Sequence, residues 1–172
     1  MPWELDTSHS SVKWSARWNN LVKMGGPFKQ FRCKLDLDDN DPLKGEIEAV
    51  VESPSFDSFV YRMNARLLSP AYLEAWKYPN ITFKTKSTRP GEDNTHFMLV
   101  GDLTLRDVTK EIEVLSTFNG EATGRAGNIV RGYSSVISIP WKDFLDGPPP
   151  TDAIDLFSDI ITVNVEIVAG KR

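Results

Sequence analysis

The chain has 172 residues, close to the length of one globular domain, and we expect a single domain over residues 1–172. It carries 20 lysines and arginines against 24 aspartates and glutamates, for a formal net charge of −4. Hydrophobic residues make up 40% of the chain, which is ordinary for a soluble globular protein. This composition argues against a disordered chain, a membrane-spanning helix and a disulfide framework.

The charge pattern limits the partners. Basic residues are dispersed, and the densest charged run is acidic, at residues 36–41, where we expect a solvated turn. Binding of a phosphate backbone requires clustered cations, so we expect no nucleic-acid partner. The first six residues lack the basic and apolar regions of a signal peptide, which predicts a cytoplasmic location. Transient contact with a membrane stays open.

Few residues of the sequence are candidates for catalysis or metal binding. The one cysteine, Cys33, lies in an alternating apolar pattern and is predicted to be an inert, small hydrophobic residue. Two histidines, His9 and His96, are too few for a catalytic zinc site, and no nucleophile elbow or glycine-rich phosphate loop occurs. We therefore expect no catalytic residues, no metal site and no required cofactor.

Apolar and polar residues alternate along most of the chain, which is typical of strands with one buried face. The pattern predicts eight strands, at residues 12–18, 28–38, 43–51, 81–88, 97–105, 112–118, 133–139 and 161–167. Several turn signals separate them: Gly25-Gly26-Pro27, Asp39-Asn40-Asp41-Pro42, Arg89-Pro90-Gly91 and Asn119-Gly120. Such short connections favour antiparallel neighbours.

Residues 58–76 depart from this alternation, because their apolar residues recur at helical spacing. Ser69 followed by Pro70 is a typical helix start, so we predict a second short helix after the first. The result is a helical insertion between the third and fourth predicted strands. A stiff proline-rich loop at residues 146–150 is predicted before the last strand.

These elements predict an all-β fold, an eight-stranded antiparallel barrel with a short helical insertion, since closure removes exposed strand edges. An eight-stranded barrel either fills its interior with side chains or holds one small ligand. The 18 aromatic residues fit a packed core and an aromatic-lined tunnel equally well. Periodicity alone does not separate the two.

Several sequence blocks stand out, in this order along the chain: Asp6-Thr7-Ser8-His9-Ser10, Gly26-Pro27-Phe28-Lys29-Gln30-Phe31, Lys77-Tyr78-Pro79-Asn80-Ile81-Thr82-Phe83, Gly101-Asp102-Leu103-Thr104-Leu105-Arg106-Asp107-Val108-Thr109-Lys110 and Leu156-Phe157-Ser158-Asp159. Together these blocks resemble the YceI-like family of lipid-binding proteins. The resemblance implies a lipocalin-like barrel with an elongated apolar cavity. It implies as ligand a polyisoprenoid, an isoprenoid quinone or a similar long fatty-acyl amphiphile.

On this basis we predict non-catalytic binding and sequestration or transport of a long apolar lipid. The predicted tunnel residues are Trp14, Trp18, Phe31, Phe83, Phe97, Leu99 and Leu103. The predicted entrance residues are Phe28, Met63, Leu67, Leu73 and Trp76. His9 and Arg66 are candidate head-group contacts, and residues 58–76 are a candidate lid.

Two other classes of function stay open. A barrel with a solid core would act as a protein–protein interaction module, for instance as a homodimer through a strand edge. An enzyme acting on a lipid would need a nucleophile, a metal set or an acid–base pair that the sequence does not display.

Overall fold

The computed structural model describes residues 2–19, 21–70, 72–144 and 160–172, so the predicted proline-rich loop lies outside the described residues. The described residues form ten strands: β1 (Trp3–Leu5), β2 (Ser11–Trp18), β3 (Val22–Phe28), β4 (Phe31–Leu37), β5 (Gly45–Glu52), β6 (Asn80–Pro90), β7 (His96–Leu105), β8 (Val108–Thr123), β9 (Ile129–Pro140) and β10 (Ile160–Lys171). One α-helix, α1, covers Tyr61–Leu67, and 3-10 helices cover Ser53–Ser55 and Trp141–Phe144. Within the described ranges, no helix is long and apolar enough to cross a membrane.

All strand pairs are antiparallel, and they close into a ring. One edge of β10 pairs with β9, and its other edge pairs first with β2 and then with β1. β1 and β2 therefore run in the same direction, as two segments of one interrupted strand. β3 pairs with β2 and β4 pairs with β1, so these two form a second interrupted strand. The ring consists of eight long strands, which confirms the predicted antiparallel barrel.

The pairing registers define two ends of the barrel. β5 ends, and β6 begins, where Glu52 pairs with Asn80, and α1 lies in the chain between them. We call residues 56–78 the cap segment and this end of the barrel the cap end. At the opposite end, β4 turns into β5 where Leu37 pairs with Gly45, and Arg131 lies near the start of β9. We call it the Arg131 end.

The predicted turn at Gly25-Gly26-Pro27 is wrong, because these residues lie within β3. Gly25 pairs with Ser15 and Gly26 with Trp14. A Cβ atom on Gly26 would stand 1.7 Å from the carbonyl oxygen of Asp57, so the glycine permits the cap segment to pack directly on the strand. Gly26 therefore permits close approach of the cap segment to β3 and does not reverse the chain.

The predicted turn at Asn119-Gly120 is also wrong. Both residues lie inside β8, where the register with β9 shifts between Phe118 and Gly120. Gly120 has a φ of +125°, a backbone conformation that glycine adopts readily. The glycine therefore marks a bulge, and the chain reverses later, between β8 and β9.

The helical insertion lies where it was predicted, but the second helix does not form. α1 ends at Leu67, and the described residues after it form turns. The Ser69 hydroxyl donates a hydrogen bond of 2.5 Å to the carbonyl oxygen of Arg66, and the Leu73 amide donates to the carbonyl oxygen of Leu67. Ser69 thus closes the first helix instead of opening another.

Candidate functional site

The barrel encloses a cavity of about 210 Å³. On β10, alternate side chains face it along nearly the whole strand: Ile161, Val163, Val165, Ile167 and Ala169. Eight residue steps of about 3.3 Å span about 26 Å of strand, or about 20 Å along the axis of a barrel with the usual strand tilt of about 40°. The cavity is therefore long and narrow.

The cavity wall is almost entirely apolar. Among the described residues that line it there is no aspartate, glutamate or histidine. The Oγ atoms of Ser116 and Ser135 on the wall lie 2.8 Å apart and satisfy each other. The other lining residues with charged or hydroxyl-bearing side chains are Arg32, Lys44, Tyr72, Thr82, Arg106 and Tyr133. The Cys33 side chain also lines the cavity, and burial raises the pKa of its thiol to about 11. Such a wall suits a ligand without polar groups along its length.

Nine of the twelve predicted ligand-binding residues lie on this wall: Trp14, Phe28, Phe31, Leu67, Leu73, Phe83, Phe97, Leu99 and Leu103. They come from strands β2, β3, β4, β6 and β7 and from the cap segment. The structure therefore brings together residues that are up to 89 positions apart in the sequence, from Trp14 to Leu103. Their role in ligand binding stays a prediction.

The other three lie outside the wall. Trp18 lies three residues beyond Ser15, which pairs with Thr162 of β10, and it does not line the cavity. Met63 packs on the core beside Leu67 without reaching the cavity. Trp76 is 82% exposed, because the turns that replace the predicted second helix bury Ala75 instead.

Neither candidate head-group contact lines the cavity. His9 is exposed between β1 and β2, with its Nδ1 atom 2.8 Å from the carboxylate of Asp6. This hydrogen bond holds the pKa of Asp6 below its usual value. Arg66 is half-buried on α1, and its side chain is not part of the cavity wall.

The sequence analysis missed Arg106, a charged residue that does line the cavity, at the turn between β7 and β8. Its guanidinium lies 2.7 Å from the carboxylate of Glu74 and donates to the carbonyl oxygens of Pro70 and Tyr72. Arg106 and Glu74 both have positive φ angles, of 58° and 45°, which non-glycine residues rarely adopt. Arg106 thus fastens the cap segment over one end of the cavity. In the sequence, the only indication of Arg106 was its position in the block Leu105-Arg106-Asp107.

The opposite end of the barrel is closed by a polar network around Arg131, whose side chain is only 2% exposed. Its guanidinium donates to the carbonyl oxygens of Asp38 and Asp39 and pairs with Glu121. The Tyr133 hydroxyl donates to the carbonyl oxygen of Pro42. The β4–β5 loop is therefore held across this end of the barrel.

No cluster of three or more His, Cys, Asp or Glu side chains among the described residues is arranged to hold a metal ion. The arrangement consists of a long apolar cavity, a network that closes one end and a cap segment at the other. It can hold an apolar molecule by burial alone.

Comparison with known proteins agrees with this architecture. UPF0312 proteins of Yersinia pestis and Pseudomonas putida are 25% and 28% identical to the chain over 161 and 144 residues, which covers 92% and 83% of the chain and 83% and 74% of those proteins. The crystal structure of Burkholderia cenocepacia BcnA has a TM-score of 0.83 at 19% identity, covering 96% of this chain and 99% of that one.

A Campylobacter jejuni YCEI protein has a TM-score of 0.75 at 27% identity, covering 84% of this chain and 83% of that one. A polyisoprenoid binding domain from Saccharophagus degradans has a TM-score of 0.71 at 14% identity, covering 100% of this chain and 99% of that one. The family model of the YceI-like domain matches residues 3–169. The chain belongs to the YceI-like family.

Proposed function

We propose that the chain binds one long apolar lipid, with the lipid tail extended inside the barrel. The continuous apolar wall of the cavity carries this proposal. Burial of each methylene group contributes about 0.8 kcal/mol, so a long tail is held without covalent or ionic help. The cavity is about 20 Å long, whereas one leaflet of a bilayer core is about 15 Å thick, so a complete membrane-lipid tail fits its length.

The apolar wall of the cavity and a solved structure with the same fold together support one class of ligand. The Saccharophagus degradans protein with the same fold is described as a polyisoprenoid binding domain. A polyisoprenoid, an isoprenoid quinone or a long fatty-acyl amphiphile shares the required shape, and we propose one of these as the ligand. The absence of acidic and histidine side chains from the described wall supports sequestration or transport over chemical conversion.

We place the lipid head group at the cap end. The Arg131 network holds the β4–β5 loop across the other end, so a bulky polar group is better accommodated beside the cap segment. Arg106 lines the cavity at the cap end and carries a positive charge there. A lipid with an anionic or carbonyl-bearing head would gain most from it.

Native mass spectrometry of the purified chain, followed by solvent extraction, tests the proposal. We expect a bound lipid, or uptake of a polyprenol, a quinone or a fatty acid by the delipidated protein. Ala49 lines the cavity, and Ala49→Trp should fill the space that the lipid occupies. Glu48→Trp adds the same indole on the exposed face of β5 and is the matched control.

We expect Glu48→Trp to retain the lipid and Ala49→Trp to lose it. If Ala49→Trp does not fold, Cys33→Trp on the wall and Lys34→Trp on the outer face of β4 repeat the comparison. A wild-type protein that neither carries nor takes up any of these lipids would leave the interaction module as the better account. Turnover of the lipid would identify an enzyme instead.

A further inference from the structure

The cap segment has two apolar faces. Phe56, Leu67 and Tyr72 point inward and are at most 5% exposed, and all three line the cavity. On the same segment, Phe59 and Tyr61 are 74% and 87% exposed, and Trp76 is also exposed. Large aromatic side chains in water are costly for a protein that has no partner for them, so the outer face points to a second apolar environment.

The tip of the β2–β3 hairpin extends this outer face. Leu21 and Val22 at the tip are 68% and 53% exposed. The Asp57 amide donates to the carbonyl oxygen of Pro27, and the antiparallel bridge between Phe28 and Phe56 aligns the start of the cap segment with β3. From that bridge the cap segment runs along β3 in the direction of the hairpin tip. The exposed aromatic residues and the tip therefore belong to one end of the molecule.

Positive charge accompanies these apolar side chains. Residues 17–29 and the cap segment together hold six lysines and arginines against two acidic residues, in a chain with a formal net charge of −4. Both acidic residues have basic partners: Asp57 with Lys29 at 2.8 Å, and Glu74 with Arg106 at 2.7 Å. Exposed aromatic groups in segments with more basic than acidic residues are complementary to the surface of an anionic bilayer.

We propose that the chain docks reversibly on anionic lipid bilayers through the outer face of the cap segment and the β2–β3 hairpin tip. Trp, Tyr and Phe side chains lie favourably at the level of the lipid head groups, and Lys23 and Arg62, both exposed, would face the lipid phosphates. Docking goes beyond the binding of a lipid in the cavity, because it uses the outer surface. It would bring the cap end of the cavity against the membrane.

Vesicle flotation with the full chain tests the proposal. The vesicles consist of phosphatidylcholine with or without phosphatidylglycerol, at low and high salt. We expect binding to the anionic vesicles that weakens with salt, since counterions screen the basic residues. The triple variant Phe59→Ser, Tyr61→Ser, Trp76→Ser should lower the partition coefficient about tenfold or more.

The barrel wall offers a matched control. Leu115 and Val136 pair across β8 and β9 and are 53% and 51% exposed, far along the chain from the cap segment. Leu115→Ser with Val136→Ser removes exposed apolar groups outside the cap segment and the hairpin tip and should leave vesicle binding unchanged. Because all substituted positions are exposed, circular dichroism and thermal melting should show that every variant folds. Wild-type binding that is absent, or that falls equally in both variants, would overturn the proposal.

If the outer face of the cap segment binds another partner than a bilayer, the experiments give a different result. If sedimentation shows a dimer that the triple variant dissociates, the face is an interface between two copies of the chain, and the proposal is wrong. The result is also separable from the proposed lipid cavity. The triple variant should still take up lipid in native mass spectrometry, whereas Ala49→Trp should still bind vesicles.

Discussion

The guanidinium carbon of Arg131 lies 4.2 Å from the centre of the Trp3 indole ring. This contact joins β9 to β1, and Trp3 in turn donates from its indole nitrogen to the carboxylate of Asp39 at 3.0 Å. The hydrogen bond from Trp3 lowers the pKa of Asp39. One buried cation thus connects the first strand, the β4–β5 loop and the start of β9.

We expect Arg131→Met to destabilise the protein by about 2–4 kcal/mol. The substitution leaves the carbonyl oxygens of Asp38 and Asp39 without their donor and removes the cation over the Trp3 ring. Urea unfolding followed by tryptophan fluorescence measures the change. Lys171→Met removes a more exposed cation that pairs with Asp39 and should cost less than about 1 kcal/mol. Equal losses for the two variants would contradict the assigned role of Arg131.

Gly26→Ala should destabilise the contact between β3 and the cap segment. The added methyl group would overlap the Asp57 carbonyl, where backbone atoms cannot simply rotate away, so we expect a loss of at least about 2 kcal/mol. Gly132→Ala is the control, since its methyl group would meet only the Cβ atom of Asn119 at 3.6 Å. Thermal and urea unfolding should therefore separate the two variants. Similar stability would show that the cap segment can move away from β3.

The Cys33 thiol should react slowly and with a steep pH dependence. Its pKa is raised to about 11 by burial, so the thiolate, which is the reactive form, is about one part in a thousand at pH 8. Between pH 8 and pH 10 the alkylation rate should rise about tenfold per pH unit. Mass spectrometry after timed addition of iodoacetamide measures this rate.

The unfolded chain in urea is the reference for Cys33, because its thiol there has an ordinary pKa and should react faster at pH 8. Bound lipid should slow the reaction of the folded chain further, since the side chain lines the cavity. Fast alkylation of the folded protein at pH 8 would contradict the burial of this thiol.

Glu74→Gln should accelerate lipid exchange at the cap end. The Glu74–Arg106 pair is mostly shielded from solvent, and loss of the charge should weaken the fastening by about 1 kcal/mol, or about fivefold in rate. Release of a fluorescent fatty acid measures the exchange. Glu111→Gln removes the exposed partner of Lys86 on the barrel wall and should have no effect. An unchanged rate in Glu74→Gln would show that exchange does not require this contact to break.

The barrel could be predicted from the sequence because the alternation of side chains that produces it is a local property of each strand. Alternation of side chains along a strand decides which residues face inward, and this places Phe97, Leu99 and Leu103 on the cavity wall as predicted. The same rule failed at Trp18, where alternation continues along β2 but the side chain does not line the cavity. The end of a cavity depends on where neighbouring strands stop pairing, and one strand's sequence does not contain that information.

Glycines and charges were harder to interpret. The sequence Gly25-Gly26 is typical of a turn, yet here it permits the backbone of Asp57 to approach β3. Arg106 and Arg131 hold the two ends of the barrel through carbonyl oxygens that are 34 to 93 residues away in the sequence. Contacts at such separations arise only from the closed fold. Whether the interior is filled or hollow likewise depends on the radius of the ring compared with the size of the side chains inside, and the sequence pattern does not give that radius.

The pairing of β1 with β10, which closes the ring, has a consequence for how the protein folds. β1 closes the barrel with three residues, which pair with Lys171, Gly170 and Ala169. This pairing cannot form on the ribosome until residues 169–171 have emerged, so nearly the whole barrel is synthesised while β9, β1 and β2 still lack their neighbour β10 and expose unpaired edges. We expect the amides of β1 to gain protection last in pulsed hydrogen exchange during refolding. Until then, the exposed edges are where a second unfinished chain would add.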